Sequence, residues 1–187
     1  KDITEYSILP VENSLEGSVG ESYDLLYSTD LNATGETYHR IEHCLIGFGR
    51  IEEIDTVYSH PQALGQCRNF IEKNNMKTIP TYDTAGSVKI IQELNKKNCA
   101  CIASKEAAVI YSMPVIAENI ANNLNNYTRF LILSKKESPE TGNDKTSIIF
   151  SIKHEPGSLY RIIENFNKNN INLTKIESRP TKSNTWE

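Results

Sequence analysis

Between residues 55 and 111 the chain switches repeatedly from short apolar runs to segments of helical spacing, and this alternation constrains the fold more than any other feature. Residues 55–59 read as a strand, and residues 62–73 as a helix with Leu64, Cys67 and Ile71 on one face. Residues 78–82 form the next expected strand. Thr84 can cap the helix that carries Val88, Ile91 and Leu94, because its side-chain oxygen can accept an orphan amide of the first turn. Residues 100–103 and 104–111 repeat the order of strand, cap and helix. Strands alternating with helices in this way predict a mostly parallel α/β sheet.

Around this block, residues 6–11 (YSILPV) read as a strand, 18–26 as a helix after the Gly17 break, and 39–48 as an extended run. Residues 127–134 are a further strand. Residues 135–145 (KKESPETGNDK) are a linker by composition, with Pro, Gly, Ser and Asn and no large apolar residue. A second pattern follows: a strand over 146–152, a helix over 157–169 with Leu159, Ile162, Ile163 and Phe166 at helical spacing, and a strand over 171–178. A βαβ unit of about 43 residues is too small for a core of its own. The expectation is that more chain follows Glu187 or that the unit packs on a partner copy.

Charge and composition remove several function classes. The 187 residues carry 20 Lys plus Arg against 24 Asp plus Glu, a net charge of −4, which argues against a basic nucleic-acid-binding coat. With 38% hydrophobic and 24% charged residues the chain is not a self-repelling coil. No apolar stretch reaches the roughly 18 residues of a membrane helix, and KDITEYSILP lacks the blocks of a signal peptide. A soluble, cytoplasmic protein with no membrane partner is expected. Cys44, Cys67, Cys99 and Cys101 are too sparse for a disulfide framework and read as reduced thiols.

Chemistry-bearing spacings are few, because no phosphate loop, GxGxxG, HExxH or GxSxG pattern occurs. Cys99 and Cys101 fall on one face of an apolar strand and read as core. His39 and His43 stand four apart with no evident third metal ligand. Strand ends are more informative, since open α/β sheets bind ligands outside the carboxyl ends of their strands. Four ends carry polar clusters: Glu12, Asn13 and Ser14; Ser59, His60 and Gln62; Asp83, Thr84, Gly86 and Ser87; and Asn126 to Arg129. Each alone fits caps and turns, whereas together they point to an anion-binding cleft in which helix starts and one Arg supply positive potential.

PVENSLEGSV (10–19), SHPQALGQC (59–67), DTAGS (83–87), AENI (117–120) and TRF (128–130) resemble, in order, the motif set of prephenate dehydratases. The tail, KTSIIFSIKHEPGSLYRIIENF with Glu177, Ser178, Arg179 and Pro180 and then Trp186 and Glu187, resembles that family's regulatory ACT domain. The resemblance implies an α/β fold: a two-lobed, periplasmic-binding-protein-like catalytic region, with the site in the cleft between the lobes, followed by an incomplete ferredoxin-like βαββαβ ACT domain. It divides the chain into a catalytic domain over 1–134 lacking its N-terminal part, a linker over 135–145, and an ACT domain over 146–187 lacking its C-terminal part. The implied activity is a carbon-oxygen lyase of phenylalanine biosynthesis that turns prephenate into phenylpyruvate, water and carbon dioxide without metal or organic cofactor. Catalysis is carried over to Thr128, Glu12 and Asn13, and substrate binding to Ser59, Gln66, Arg129, Phe130, Ser14 and Thr84. Phenylalanine is the implied allosteric inhibitor, bound between ACT domains of a homodimer or homotetramer at Gly157, Ser158, Leu159, Glu177, Ser178, Arg179 and Pro180.

The chemistry asks for such residues, because prephenate is a dianion whose ring becomes aromatic as one carboxylate leaves as carbon dioxide and the opposite hydroxyl as water. A positioned hydrogen-bond or proton donor to the departing hydroxide contributes about 10² to 10⁴ in rate. Thr128 within a relay, or Glu12 if burial raises its pKa, can fill that role. Arg129 reads as a carboxylate clamp or a structural ion pair, and His60 as a donor or a structural residue. Two departures from the family stand out: its glycine-rich opening segment does not precede Lys1, and its GALV motif is here Gly157, Ser158, Leu159 and Tyr160, whose larger last side chain alters the pocket. A non-catalytic amino-acid or small-anion sensor of the same architecture is the alternative, and an upstream chorismate mutase segment is compatible with the sequence.

Overall fold

The computed structural model describes residues 4–180. In chain order the elements are β1 (Ser7–Asn13), β2 (Gly17–Ser18), α1 (Gly20–Ser28), β3 (Asn32–Arg40), β4 (Cys44–Gly47), β5 (Thr56–Ser59), α2 (Pro61–Gln66) and α3 (Arg68–Lys73). They continue with β6 (Lys77–Pro80), α4 (Gly86–Leu94), β7 (Cys99–Ala103), α5 (Lys105–Ile110), β8 (Val115–Ala117), β9 (Tyr127–Ser134) and α6 (Ser158–Lys168). Two compact units result, one from Glu12–Gly17 and Tyr38–Arg129, the other from residues 4–11, Ser18–Thr37 and residues 130–180.

In the Tyr38–Arg129 unit a five-stranded sheet runs in the order β6-β5-β7-β4-β8. All residues of β4 and β7 are buried, as expected of strands covered on both faces, where an apolar run replaces alternation. The period of two sorts their side chains. Cys44, Ile46, Cys99, Cys101 and Ala103 pack with Val88 and Ile91 of α4 and Ala107 and Ala108 of α5. Leu45, Ala100 and Ile102, with Val57 of β5, pack on Ala63 of α2, Cys67 and Ile71 of α3. Helices therefore cover both faces of the sheet.

The expected mostly parallel sheet is instead mixed. β5 runs parallel to β6 and β7, but β4 is antiparallel to both β7 and β8. Helical crossovers return the chain in one direction only where a helix lies between the strands, and β4 is entered from β3 through residues 41–43 without one. The expected extended run over 39–48 is split by those residues into β3 and β4, which belong to different sheets. The helix expected over 62–73 is two, α2 and α3, broken at Cys67 (φ −111°, ψ 15°). Thr84 does not cap α4; Asp83 Oδ2 accepts from Gly86 N at 2.7 Å, and the Thr84 carbonyl accepts from Ser87 Oγ at 2.5 Å. Ser104 does cap α5, accepting from Ala107 N at 3.2 Å.

The other unit is built on a four-stranded sheet in the order β2-β1-β9-β3, with Val11, Leu131 and Leu133 packed against Leu9, Tyr23, Leu26 and Leu31. Its helix α1 starts at Gly20 rather than Ser18, because Gly17–Ser18 is taken up as β2. Residues 135–145 are exposed and carry neither helix nor strand. The helix expected over 157–169 is α6, entered through Gly157 at φ +81°, a conformation glycine adopts without a Cβ penalty. The strands expected over 146–152 and 171–178 do not form, because an extended segment becomes a strand only when its N–H and C=O groups find a ladder partner. Trp186 and Glu187 lie outside the described residues. No described helix is long and apolar enough to cross a membrane.

Candidate active site

Asn13 ends β1 and Thr128 is the second residue of β9, and these strands are neighbours in one sheet. Their ends are fastened locally: Ser14 N donates to Tyr127 O at 2.8 Å, and Ser14 Oγ accepts from Tyr127 N at 2.9 Å while donating to Asn125 O at 3.0 Å. Asn13 Oδ1 accepts from the backbone of Leu15 at 2.9 Å and of Glu16 at 3.0 Å, a turn typical of Asn. That pairing turns its amide nitrogen the other way, where Nδ2 donates to Asn126 Oδ1 at 2.7 Å and to Thr128 Oγ1 at 3.1 Å.

The line continues through Asn126, whose Nδ2 donates to Gln66 Oε1 at 3.1 Å. Gln66 closes α2; its Oε1 also meets His43 Nε2 at 2.8 Å, and its Nε2 donates to Glu16 Oε1 at 3.1 Å. Asn126 and His43 are 1% and 5% exposed, so these amide and imidazole bonds form out of solvent, where an unmet polar group is costly. His43 Nδ1 is the one buried side-chain N or O without a partner among the described residues. The Asn122 amide N donates to Gln66 O at 2.7 Å and its Oδ1 accepts from Asn69 N at 3.0 Å, which ties the loop before Asn126 to α2 and α3.

These residues wall a concavity of about 280 Å³, all of it within the Tyr38–Arg129 unit. Asn13, Gln66, Asn126, Thr128, His43 and Thr84 line it, together with His39, Arg40, Gln62, Ser104, Glu42 and Glu106. Arg40 is its guanidinium, paired with Glu42 at 3.0 Å. The Glu106 carboxyl is held below the usual carboxylate range, first by its own backbone N–H and then by the Ser104 hydroxyl, against a small opposing effect of burial. Amides, hydroxyls, two imidazoles, two carboxylates and one guanidinium thus line a space of small-molecule size, an arrangement suited to orienting a polar ligand and supplying hydrogen bonds.

Of the residues expected at the site, Asn13, Gln66, Thr84 and Thr128 come together on this wall. Glu12 and Arg129 lie outside the lining and approach each other at 3.6 Å. Ser59 is wholly buried, its hydroxyl donating to Ile102 O of β7 at 2.7 Å. His60 caps α2, its Nδ1 accepting from Gln62 N at 3.2 Å. Ser14 is exposed beside the strand ends, and Phe130 is half-buried in β9. Arg40, His43 and Ser104 are not among the site residues expected from the sequence, whereas Asn126 is, as the first residue of the polar strand-end cluster 126–129. No group of three His, Cys, Asp or Glu able to hold a metal occurs among the described residues.

In the other unit, Glu177 accepts from Ser18 and lies 3.4 Å from Lys175, and its carboxyl is held below the usual range, by the Ser18 hydroxyl first. Arg179 Nε pairs with Asp24 of α1 at 3.1 Å. Ser158 is buried and bonded by Arg161 at 2.9 Å, while Leu159 and Tyr160 are exposed.

Residues 1–138 match the family model described as prephenate dehydratase. A bifunctional chorismate mutase/prephenate dehydratase of Aquifex aeolicus is 41% identical over 98% of this chain and 51% of its own length. A prephenate dehydratase of Methanocaldococcus jannaschii is 44% identical over 94% of this chain and 65% of its own. The chain therefore spans about half to two thirds of the length of these relatives. Among solved structures, the prephenate dehydratase of Staphylococcus aureus superposes with a TM-score of 0.79 at 27% identity, over 100% of this chain and 70% of that one. A prephenate dehydratase from Arthrobacter aurescens in complex with L-Phe gives 0.78 at 26%, over 95% and 62%. A protein described as a quorum quenching acylase, GqqA, gives 0.78 at 27%, over 97% and 67%.

Proposed function

This chain belongs to the prephenate dehydratase family, and from that premise we propose that it dehydrates and decarboxylates prephenate to phenylpyruvate, as a carbon-oxygen lyase of phenylalanine biosynthesis. The observation that carries the reading is the Asn13 to Thr128 bond on the wall of the concavity. Thr128 Oγ1 accepts there, so its own proton is not used in that bond and can be presented to a ligand. In the reaction the bond to the ring carboxylate breaks and releases carbon dioxide, its electrons enter the ring, and the opposite carbon-oxygen bond breaks. The departing hydroxide takes a hydrogen bond from Thr128 and leaves as water once a proton from solvent has been relayed to it. A free threonine hydroxyl is a very weak acid, so Thr128 acts by position within the amide line, where fixed dipoles need no reorganisation.

Glu12 and Asn13 complete the catalytic set in this reading. Asn13 holds Thr128, and Glu12 neighbours Arg129, the clamp or ion-pair partner. Gln66 and Thr84 contact substrate from the wall, Ser14, Arg129 and Phe130 are its further binding residues, and Ser59 holds β5 to β7. Arg40 is the guanidinium among the lining residues. The whole reading makes residues 1–134 the two-lobed catalytic region and 146–187 an ACT region reached through the linker 135–145. Phenylalanine binds at Gly157, Ser158, Leu159, Glu177, Ser178, Arg179 and Pro180 of paired copies in a cytoplasmic homodimer or homotetramer. The neighbour in complex with L-Phe supports the binding of phenylalanine.

The test mixes the full chain with prephenate at neutral pH and follows phenylpyruvate by its absorbance in alkali. Steady formation of product is the expected result, and no product above the spontaneous rate overturns the reading. Calorimetry with phenylalanine tests the regulatory part separately: heat of binding is expected, and its absence removes that part alone.

A further inference from the structure

The direction of every hydrogen bond in the amide line is fixed from both ends. At one end two backbone N–H groups, those of Leu15 and Glu16, hold Asn13 Oδ1, so Nδ2 must donate to Asn126. Asn126 has then spent its oxygen, and its nitrogen donates to Gln66 Oε1. At the other end the Glu16 carboxylate can only accept, so it takes Gln66 Nε2, and turning that amide over would set oxygen against oxygen. Both ends give the same answer: Gln66 Oε1 accepts, and His43 Nε2, 2.8 Å away, carries the proton and donates.

His43 is 5% exposed, and its Nδ1 has no partner among the described residues. Leaving a buried polar atom unpaired is costly, and an apolar side chain of similar size would avoid that cost. The ring is thus kept for what its other nitrogen does. We propose that His43 is a positioning residue for the dehydration: its Nε2–H locks Gln66, and through Asn126 and Asn13 sets where the Thr128 hydroxyl points. It acts on rate through Thr128, by way of Gln66, Asn126 and Asn13. The proposal rests on the dehydratase reading of the site.

Two measurements test it. Nitrogen-15 NMR of the histidine rings in the full chain needs no activity: the proton is expected on His43 Nε2, and a proton on Nδ1 alone overturns the proposal. The second compares substitutions that each keep one end of the ring. His43→Gln places an amide near Nε2 and can still donate to Gln66, whereas His43→Asn places one near Nδ1 and cannot. His43→Asn is expected to lose about 10- to 100-fold in kcat with KM within about threefold, since small displacements of a catalytic group act on rate. His43→Gln is expected to recover most of it. If Asn works as well as the wild type, or Gln fails as badly as Asn while melting no lower, the proposal falls. A wild-type chain that makes no phenylpyruvate while its NMR shows the Nε2 proton would sink the dehydratase reading and leave the bond pattern standing.

Discussion

CACIA at residues 99–103 and IIFSI at 148–152 read alike, yet the first is a strand with every residue buried and the second is not a strand, with Ile148, Ile149, Phe150 and Ile152 44–58% exposed. Intrinsic β preference favours the second, which is richer in Ile and Phe. What separates them is partners: β7 lies between β5 and β4 and bonds to both. Just beyond the second run, α6 does form, since its N–H groups bond four residues back along the same chain and need no neighbour. A strand is a property of at least two segments, a helix of one.

The largest effect expected from this contrast is in folding stability. Ile102→Ala, at a fully buried site of β7, should cost about 2–5 kcal/mol in denaturant unfolding, whereas Ile149→Ala should stay within about 0.5 kcal/mol. Equal losses would break the comparison. Next in size is alkaline sensitivity. Burial pushes the Cys67 and Cys101 thiols from 9.0 up to about 12. Above pH 9 the unfolded chain releases protons that the folded one holds, so stability is full below that pH and falls as the pH rises towards 12. Both thiols should also resist a thiol reagent at pH 8 until the chain is unfolded, and rapid labelling in the native chain would contradict their burial.

A smaller effect is expected at the helix starts. Ser104→Ala removes the α5 cap and should lower stability by about 1 kcal/mol, seen as a drop in melting temperature. Smallest are the exposed pairs of the two regions, Arg68–Glu72 at 2.7 Å and Lys168–Glu164 at 3.0 Å. Glu72→Gln and Glu164→Gln should each lower stability only slightly, and the change should shrink in high salt.

Local features were legible in the sequence and non-local ones were not. β9 lies where its apolar run stands, Ser104 caps α5, and α6 follows its helical spacing, because each is decided within a few residues. The reversal of β4 was hidden, since direction depends on the connection from β3 and on which strands it meets. Asn13 and Thr128 were readable from their motifs, and Gln66 likewise. Asn126 was readable only as the first residue of a strand-end cluster and His43 not as a site residue, because what joins them to the wall is a chain of bonds between residues 23, 60 and 113 positions apart. A His four residues after another and just before an apolar run gives no such signal.

The claim at the centre of this account is that Thr128, held by Asn13, assists the departing hydroxide. The most direct measurement is kcat for prephenate in Thr128→Val against Thr128→Ser in the full chain. The valine keeps the shape and loses the hydroxyl, and should lower kcat by about 10² to 10⁴ with KM little changed, while the serine keeps most of the rate. A valine variant that turns over prephenate at the wild-type kcat would contradict the claim.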